Sequence, residues 1–294
     1  MTTWKLLTIT WSVDPSILAG SALVLAGFVW IVRKRWTRRA WLFIAGILVF
    51  VFALECPLDK IGDTYLFSAH MAQHLFLLWI VPPLVILGTP RWLAQWIKDQ
   101  PVFGRTEQIL SNPFVAWPTG VVTLWAWHTP LLYNAALADE TIHAIEHLSF
   151  TVSATIFWWP VLEPTTEDRL APLAAVAYIW LGGAMNTLLA LILALMPVGY
   201  YPEYVHPVDT YGALSLIRNT WGISAQEDQQ IGALLMFVGG GFLFLAGIIH
   251  ALHRWYSMPE DDIPLLLSEG VQRIKEEKNG AKERGTTQAD RVHA

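Results

Sequence analysis

Seven apolar segments of membrane-crossing length dominate this chain, and a chain built that way has few folds open to it. Inside a hydrocarbon layer every backbone N–H and C=O must find a partner in protein, so long apolar runs become helices. A run of roughly 20 residues crosses the bilayer core. Along the chain the runs are Ser16–Val32, Ala40–Pro57, Phe67–Gly88, Pro113–Asn134, Ile142–Leu162, Pro172–Met196 and Gln230–Leu252. Only 15% of the residues are charged, against about 25% in soluble domains. The expected fold class is all-α: a polytopic membrane protein with seven transmembrane helices. One such domain is expected over 1–258, and 259–294 reads as a charged, disordered cytoplasmic tail.

Loop charge sets the expected orientation. Arg33, Lys34, Arg35, Arg38, Arg39, Arg91, Lys98, Arg105, Arg169 and Arg254 fall on one side of the threaded spans, and only Lys5, Lys60 and Arg218 on the other. The basic side faces the cytoplasm. The N-terminus is then outside, the C-terminus inside, and the location the plasma (inner) membrane. Tryptophans mark the boundaries: Trp30, Trp36, Trp41, Trp92, Trp96, Trp117, Trp158, Trp159 and Trp255 are expected near the inner interface, with Trp125 and Trp127 nearer the outer one. Pro82-Pro83 should disturb the third helix. Gly239-Gly240-Gly241 reads as close helix packing.

Several function classes drop out. The single cysteine, Cys56, excludes an internal disulfide, a CxxC redox pair and a zinc ribbon. No basic, aromatic-interleaved stretch suits nucleic acid. There is no HExxH; the nearest string, His143-Ala-Ile-Glu146-His147, has its glutamate beside the second histidine. No cleavable signal peptide is expected, because the basic cluster follows the first apolar run, so that segment should stay as an anchor.

The histidines carry the chemistry. His70, His74, His128, His143 and His147 lie in three apolar segments, and the charge-based threading puts all five within about 10 Å of the outer boundary at ~1.5 Å rise per residue. Ionisable groups at membrane depth are costly and mark sites. His70/His74 and His143/His147 are each four apart, so each pair shares a helix face. Neutral imidazole serves copper, zinc, iron and nickel alike. Met71, Met196, Met236 and Cys56 are the sulfur atoms at suitable depth, with packing roles the simpler reading. Glu146 and Asp228 are candidates to orient ligand imidazoles through their second nitrogen. His250 and His253 adjoin Arg254 at the other end, and His206 falls in a Pro-rich loop.

One haem near the outer face is an alternative, since it needs two axial histidines on facing helices, but it leaves three histidines idle. A permease for copper or another small solute is a further alternative, and would need polar groups continuing inward, where Asn186 stands almost alone.

The same residues carry a family resemblance. His70-Met-Ala-Gln-His74 running into LFLLWIVPPLVILGTP resembles the signature of the CtaG family of cytochrome c oxidase assembly factors. Trp127-His128-Thr-Pro130, the His143–His147 string, Trp158-Trp159-Pro160 and Asp228-Gln229-Gln230-Ile-Gly232 fit the same pattern. The resemblance covers about residues 40–250. It implies a non-enzymatic, seven-helix plasma-membrane protein that helps produce active haem–copper oxidase. It also implies copper as a transient cargo and oxidase subunits as partners within the lipid bilayer. Carried over residue by residue, His70, His74, His128, His143 and His147 become the metal residues.

The charge bias generates a topology test. A reporter enzyme active only outside the cytoplasm should work when fused after Asp59 or within Val205–Asp209, and fail after Lys98. Activity after Lys98 would invert the map.

Overall fold

The computed structural model describes residues 1–165 and 169–258, and the expected charged tail over 259–294 lies outside the described residues. Among the described residues there is no strand. The helices are α1 (Thr3–Ile9), α2 (Pro15–Val32), α3 (Ala40–Glu55), α4 (Leu58–Thr64), α5 (Phe67–Leu75), α6 (Val81–Gly88) and α7 (Arg91–Lys98). They continue with α8 (Pro101–Leu110), α9 (Pro113–Trp127), α10 (Pro130–Ala138), α11 (Glu140–Leu162), α12 (Pro172–Leu195), α13 (Pro202–Val205) and α14 (Ala225–Tyr256). Local chemistry sets their starts. Asp14, Asn112 and Asp139 accept backbone N–H groups in the first turns of α2, α9 and α11, and Ser224 with Glu227 forms a reciprocal capping box on α14. Each satisfies donors that the first turn leaves open.

Among the described residues, four helical stretches are long and apolar enough to cross a membrane: α2, Phe67–Gly88, α12 and α14. The pair α3–α4, bent by 40°, makes a fifth if it counts as one span. Large apolar side chains on these helices point outward, among them Leu23, Trp180 and Phe242. The expected fourth span, Pro113–Asn134, is broken. Helix α9 stops at Trp127, His128 caps it, and α10 restarts at Pro130. A proline cannot donate an N–H to continue the helix and disfavours helical backbone in the residue before it.

Pro82-Pro83 does not break the third segment. A π-helical turn over Phe76–Ile80, in which the Val81 N–H reaches Phe76 O, joins α5 to α6 just ahead of the prolines. Trp158, expected at an interface, is instead buried and packs against Phe244 and Gly247. Its ring fills the space beside a residue with no side chain. The glycine run in α14 is a packing surface in part: Gly240 lies against Asn186 and Gly239 against Leu75, while Gly241 faces open space.

Two apolar clusters frame the histidine region. The larger one joins α5, α6, α11, α12 and α14 through Phe67, Ile86, Phe157, Ile179 and Phe244. The smaller one, with Leu6, Ile61, Tyr65 and Ile217, lays α1 and α4 over one end of the bundle. At the opposite end Lys98 pairs with Glu163 at 3.1 Å, and Arg254 donates to Leu170 O. Lys98, Arg169 and Arg254, three of the basic residues that the loop-charge reading grouped together, lie near one another there, with His250 beside them.

Helix α4 reaches the histidine-bearing α5 only because Gly62 has no side chain. A Cβ there would sit 2.8 Å from the His70 backbone nitrogen. Gly62→Leu should therefore cost about 1–3 kcal/mol, as overpacking does. The measurement is the unfolding midpoint in detergent, and an unchanged midpoint would contradict this close approach.

Candidate metal centre

All five intramembrane histidines expected from sequence come together in one pocket. His70 and His74 stand one turn apart on α5, with ring centroids 4.2 Å apart. His143 and His147 repeat that arrangement on α11 at 4.1 Å. The two pairs face each other: His70 and His143 stack at 5.4 Å, and His74 and His147 meet at 5.6 Å. His128 enters from the end of α9, 6.1 Å from His74. Four of the five are buried, and His143 sits nearest the surface.

Ligand atoms of His70, His74 and His147 all lie within 4.8 Å of one another. A second group with the same closeness is Asp63, His70 and His143. Glu146, wholly buried, directs one oxygen to within 3.9 Å of His70 Nε2 and the other to within 3.9 Å of His74 Nε2. Both contacts are too long for hydrogen bonds, so Glu146 stands beside the two imidazoles without orienting either through one.

Polar atoms here are short of partners. Asp63 Oδ1, both ring nitrogens of His70 and of His74, Nε2 of His128, His143 and His147, and both Glu146 oxygens are buried with no hydrogen bond. They are ten of the twenty such side-chain atoms among the described residues. Buried histidine and glutamate normally find partners, so their concentration at one place singles it out. His128 is half satisfied. Its Nδ1 lies 2.7 Å from Leu124 O, which can only accept, so in the neutral ring Nδ1 carries the proton and Nε2 keeps its lone pair. That is how a second-nitrogen hydrogen bond orients a ligand imidazole.

Asp228 does something other than orient an imidazole. Its carboxylate accepts the backbone N–H groups of Phe67 at 2.7 Å and Ser68 at 3.0 Å, and the Ser68 hydroxyl at 2.5 Å. It caps α5 from a different helix, where Leu66, the residue at the cap position, has no side-chain acceptor. The helix dipole favours an anion at that point. Gln73, one turn below Ala69 on α5, donates to Ala53 O and Asp59 Oδ1 and so ties α3 and α4 to the same helix.

Sulfur sits to one side. Met71 and Met236 line a small cavity that also touches His74 and His128. Cys56 is buried at the end of α3, and Met196 at the end of α12 accepts from Gln229 through its backbone carbonyl. His206 is exposed in its loop, and His250 and His253 lie at the Arg254 end of α14. None of the three joins the cluster.

Sequence reasoning missed Asp63 and an aromatic cover. Tyr133 lies 5.1 Å from His70 and shares a 2.8 Å hydroxyl contact with Tyr204, while Tyr201 donates to His128 O. Asp59 and Asp63, four apart and just ahead of the histidine pair, carried a signal of the right kind for Asp63. The tyrosines come from two distant segments and carried none.

The fold and this site define a class: among the described residues, an all-helical protein with four to five membrane-length helices and a mostly buried histidine cluster on α5, α11 and the end of α9. Within that class, the chain belongs to the cytochrome c oxidase caa3 assembly factor family, Caa3_CtaG, whose defining sequence pattern matches residues 23–258. It is also similar to an uncharacterized protein of Mycobacterium leprae, 22% identical over 274 residues, covering 83% of this chain and 39% of that protein. Uncharacterized proteins of Mycobacterium bovis and Mycobacterium tuberculosis are each 25% identical over 193 residues, covering 57% of this chain and 28% of theirs. The chain thus spans well under half the length of these curated relatives. No solved structure matches it.

The cap on α5 yields a stability prediction. Asp228→Ala leaves two buried N–H groups unmet and should lower stability by about 1–2 kcal/mol, the upper part of the range for a lost cap. Thermal unfolding in detergent measures it, and a shift too small to detect would show that α5 does not depend on this contact.

Proposed function

We propose that the protein is a non-enzymatic assembly factor for a haem–copper cytochrome c oxidase, and that its histidine pocket holds copper in transit to the oxidase. Family membership supports the assembly role. The observation that carries the copper step is the convergence of His70, His74 and His147, with ligand atoms within 4.8 Å of one another, among ten buried polar atoms that lack partners. An unmet buried polar group costs about 1–3 kcal/mol, so ten would cost on the order of 10 kcal/mol or more. That equals the whole net stability of a typical domain, about 5–15 kcal/mol. A cation bound by imidazole lone pairs relieves much of that cost, and three nitrogen donors with thioethers near His74 suit copper.

The haem alternative fits this packing less well. The imidazoles that face each other from α5 and α11 pack at 5.4 and 5.6 Å between ring centroids, a tight cluster and not two ligands held apart across a macrocycle. The permease reading loses its one inward polar group, because Asn186 spends its amide N–H on Met236 O. In the bilayer, α9 and α11 would complete a seven-span bundle in the plasma membrane. The N-terminus and the histidine end would face outward, and oxidase subunits would be met at that end.

Metal content and oxidase activity test this together. His70→Ala and His147→Ala each remove one of three nitrogens and should lower bound copper by about tenfold or more, with oxidase activity falling in step and the protein still accumulating. His250→Ala, at the far end of α14, should be silent. Wild-type copper content in both cluster variants would sink the ligand assignment, and a Soret band in the purified protein would favour haem instead.

A further inference from the structure

His70 has two ring nitrogens, and each faces a different carboxylate. Nε2 lies 3.9 Å from one oxygen of Glu146, whose other oxygen is 3.9 Å from His74 Nε2. Nδ1 lies 3.5 Å from Asp63 Oδ1, and the same oxygen is 3.5 Å from His143 Nε2. None of these three atoms has a hydrogen-bond partner. Bond lengths of about 2.0–2.2 Å at tetrahedral angles put ligand atoms roughly 3.3–3.6 Å apart. Two edges of the Asp63–His70–His143 triangle already have that length.

Access differs between the two sides of the ring. The side chains of His70 and His74 are 1% and 3% exposed, whereas those of His143 and Asp63 are 12% and 23% exposed. Asp63 and His143 line a cavity of about 450 Å³ that opens between α2, α3, α4 and α11. Its wall also carries Asp14, Asp59 and Glu140, against the single cation Lys60. A wall of that sign concentrates cations at its mouth. His147 touches the same cavity, so direct access to the inner histidines is the competing route.

We propose that Asp63, His143 and Nδ1 of His70 form a receiving site for the cation, distinct from the holding site made by Nε2 of His70 with His74 and His147. The two sites share one imidazole. Passage inward is a ligand exchange: bonds to Asp63, His143 and Nδ1 break as bonds to His74, His147 and Nε2 form, and no electron changes hands. His70 changes tautomer as it does so: Nε2 gives its proton to the Glu146 carboxylate beside it, and the vacated Nδ1 takes one up from cavity water on the Asp63 side. A mixed oxygen–nitrogen set that is partly hydrated binds Cu(I) more weakly than three imidazoles do, so the exchange runs inward. Asp63 then governs how fast copper enters and leaves, while His74 governs how tightly it is held. This rests on the copper-holding reading above.

The test uses the full chain in detergent, with Cu(I) supplied anaerobically and a chromophoric Cu(I) chelator as competitor. Stopped-flow mixing reads loading and extraction rates, and equilibrium competition reads affinity. Asp63→Asn and His143→Gln should slow both rates by about tenfold or more while changing affinity by no more than about threefold, whereas His74→Ala should weaken affinity by about 10–100-fold, the range for a disturbed metal shell. Asp63 makes no hydrogen bond through Oδ1, so the asparagine variant should fold, and the glutamine variant on another helix gives a second reading. Wild-type rates in Asp63→Asn would overturn the receiving site in favour of direct access past His147. A loss of affinity in Asp63→Asn equal to that in His74→Ala would merge the two sites into one. If the wild-type protein takes up no Cu(I), the copper-holding reading falls and this inference falls with it; equal rates in a copper-binding protein overturn this inference alone.

Discussion

The carboxylate of Asp228 receives two backbone N–H groups at the start of α5, and the histidine pocket hangs from that contact. An apolar helix beginning inside a bundle must satisfy its first donors without water. Leu66 cannot do so, and α14 supplies the acceptor instead. The same contact sets where α5 starts and which way its faces turn. His70 and His74, one and two turns below the cap, then point at α11 rather than at lipid. Gly232, a turn beyond Asp228, lies against Phe67 and lets the two helices approach.

Around this anchor, small residues and hydrogen bonds replace the hydrophobic driving force that lipid removes. Gly62 brings α4 to the backbone of His70, Gly239 brings α14 to Leu75 of α5, and Gln73 ties α5 to α3 and α4. These contacts are worth little singly, but all of them converge on the helix that carries two of the imidazoles. Metal sites need ligand atoms held to a fraction of an ångström by their supporting shell.

The pocket combines a dry side and a wet side. Tyr133 packs beside His70 and His128, and Tyr201, Tyr204 and Phe67 pack behind it, so that side is covered by aromatic rings. Across the rings, Asp63 and His143 open to an acidic cavity. A cation would therefore meet oxygen first and nitrogen afterwards, with thioethers of Met71 and Met236 beyond His74. Ligand softness increases with depth, an order that favours copper over the harder cations as it moves inward.

Much of this was legible in the residues themselves. Helices followed from the length of the apolar runs, because the bilayer leaves the backbone no other partner. The histidine pairs followed from spacing, because residues four apart share a helix face whatever surrounds them. Glu146 came with them, one residue from His147. Other features depended on contacts between elements far apart in the chain. Asp228 looked like an orienter of imidazoles and is the cap of α5, 161 residues away. His128 looked like a helical residue near the outer end of a continuous span and instead terminates α9, where Thr129-Pro130 stops the helix. Asp63 becomes a neighbour of His143 only because Gly62 lets α4 lie on α5. Local periodicity thus determined which side chains share a face, whereas tertiary packing alone decided which faces meet, since that choice depends on the size and polarity of residues that no local pattern links.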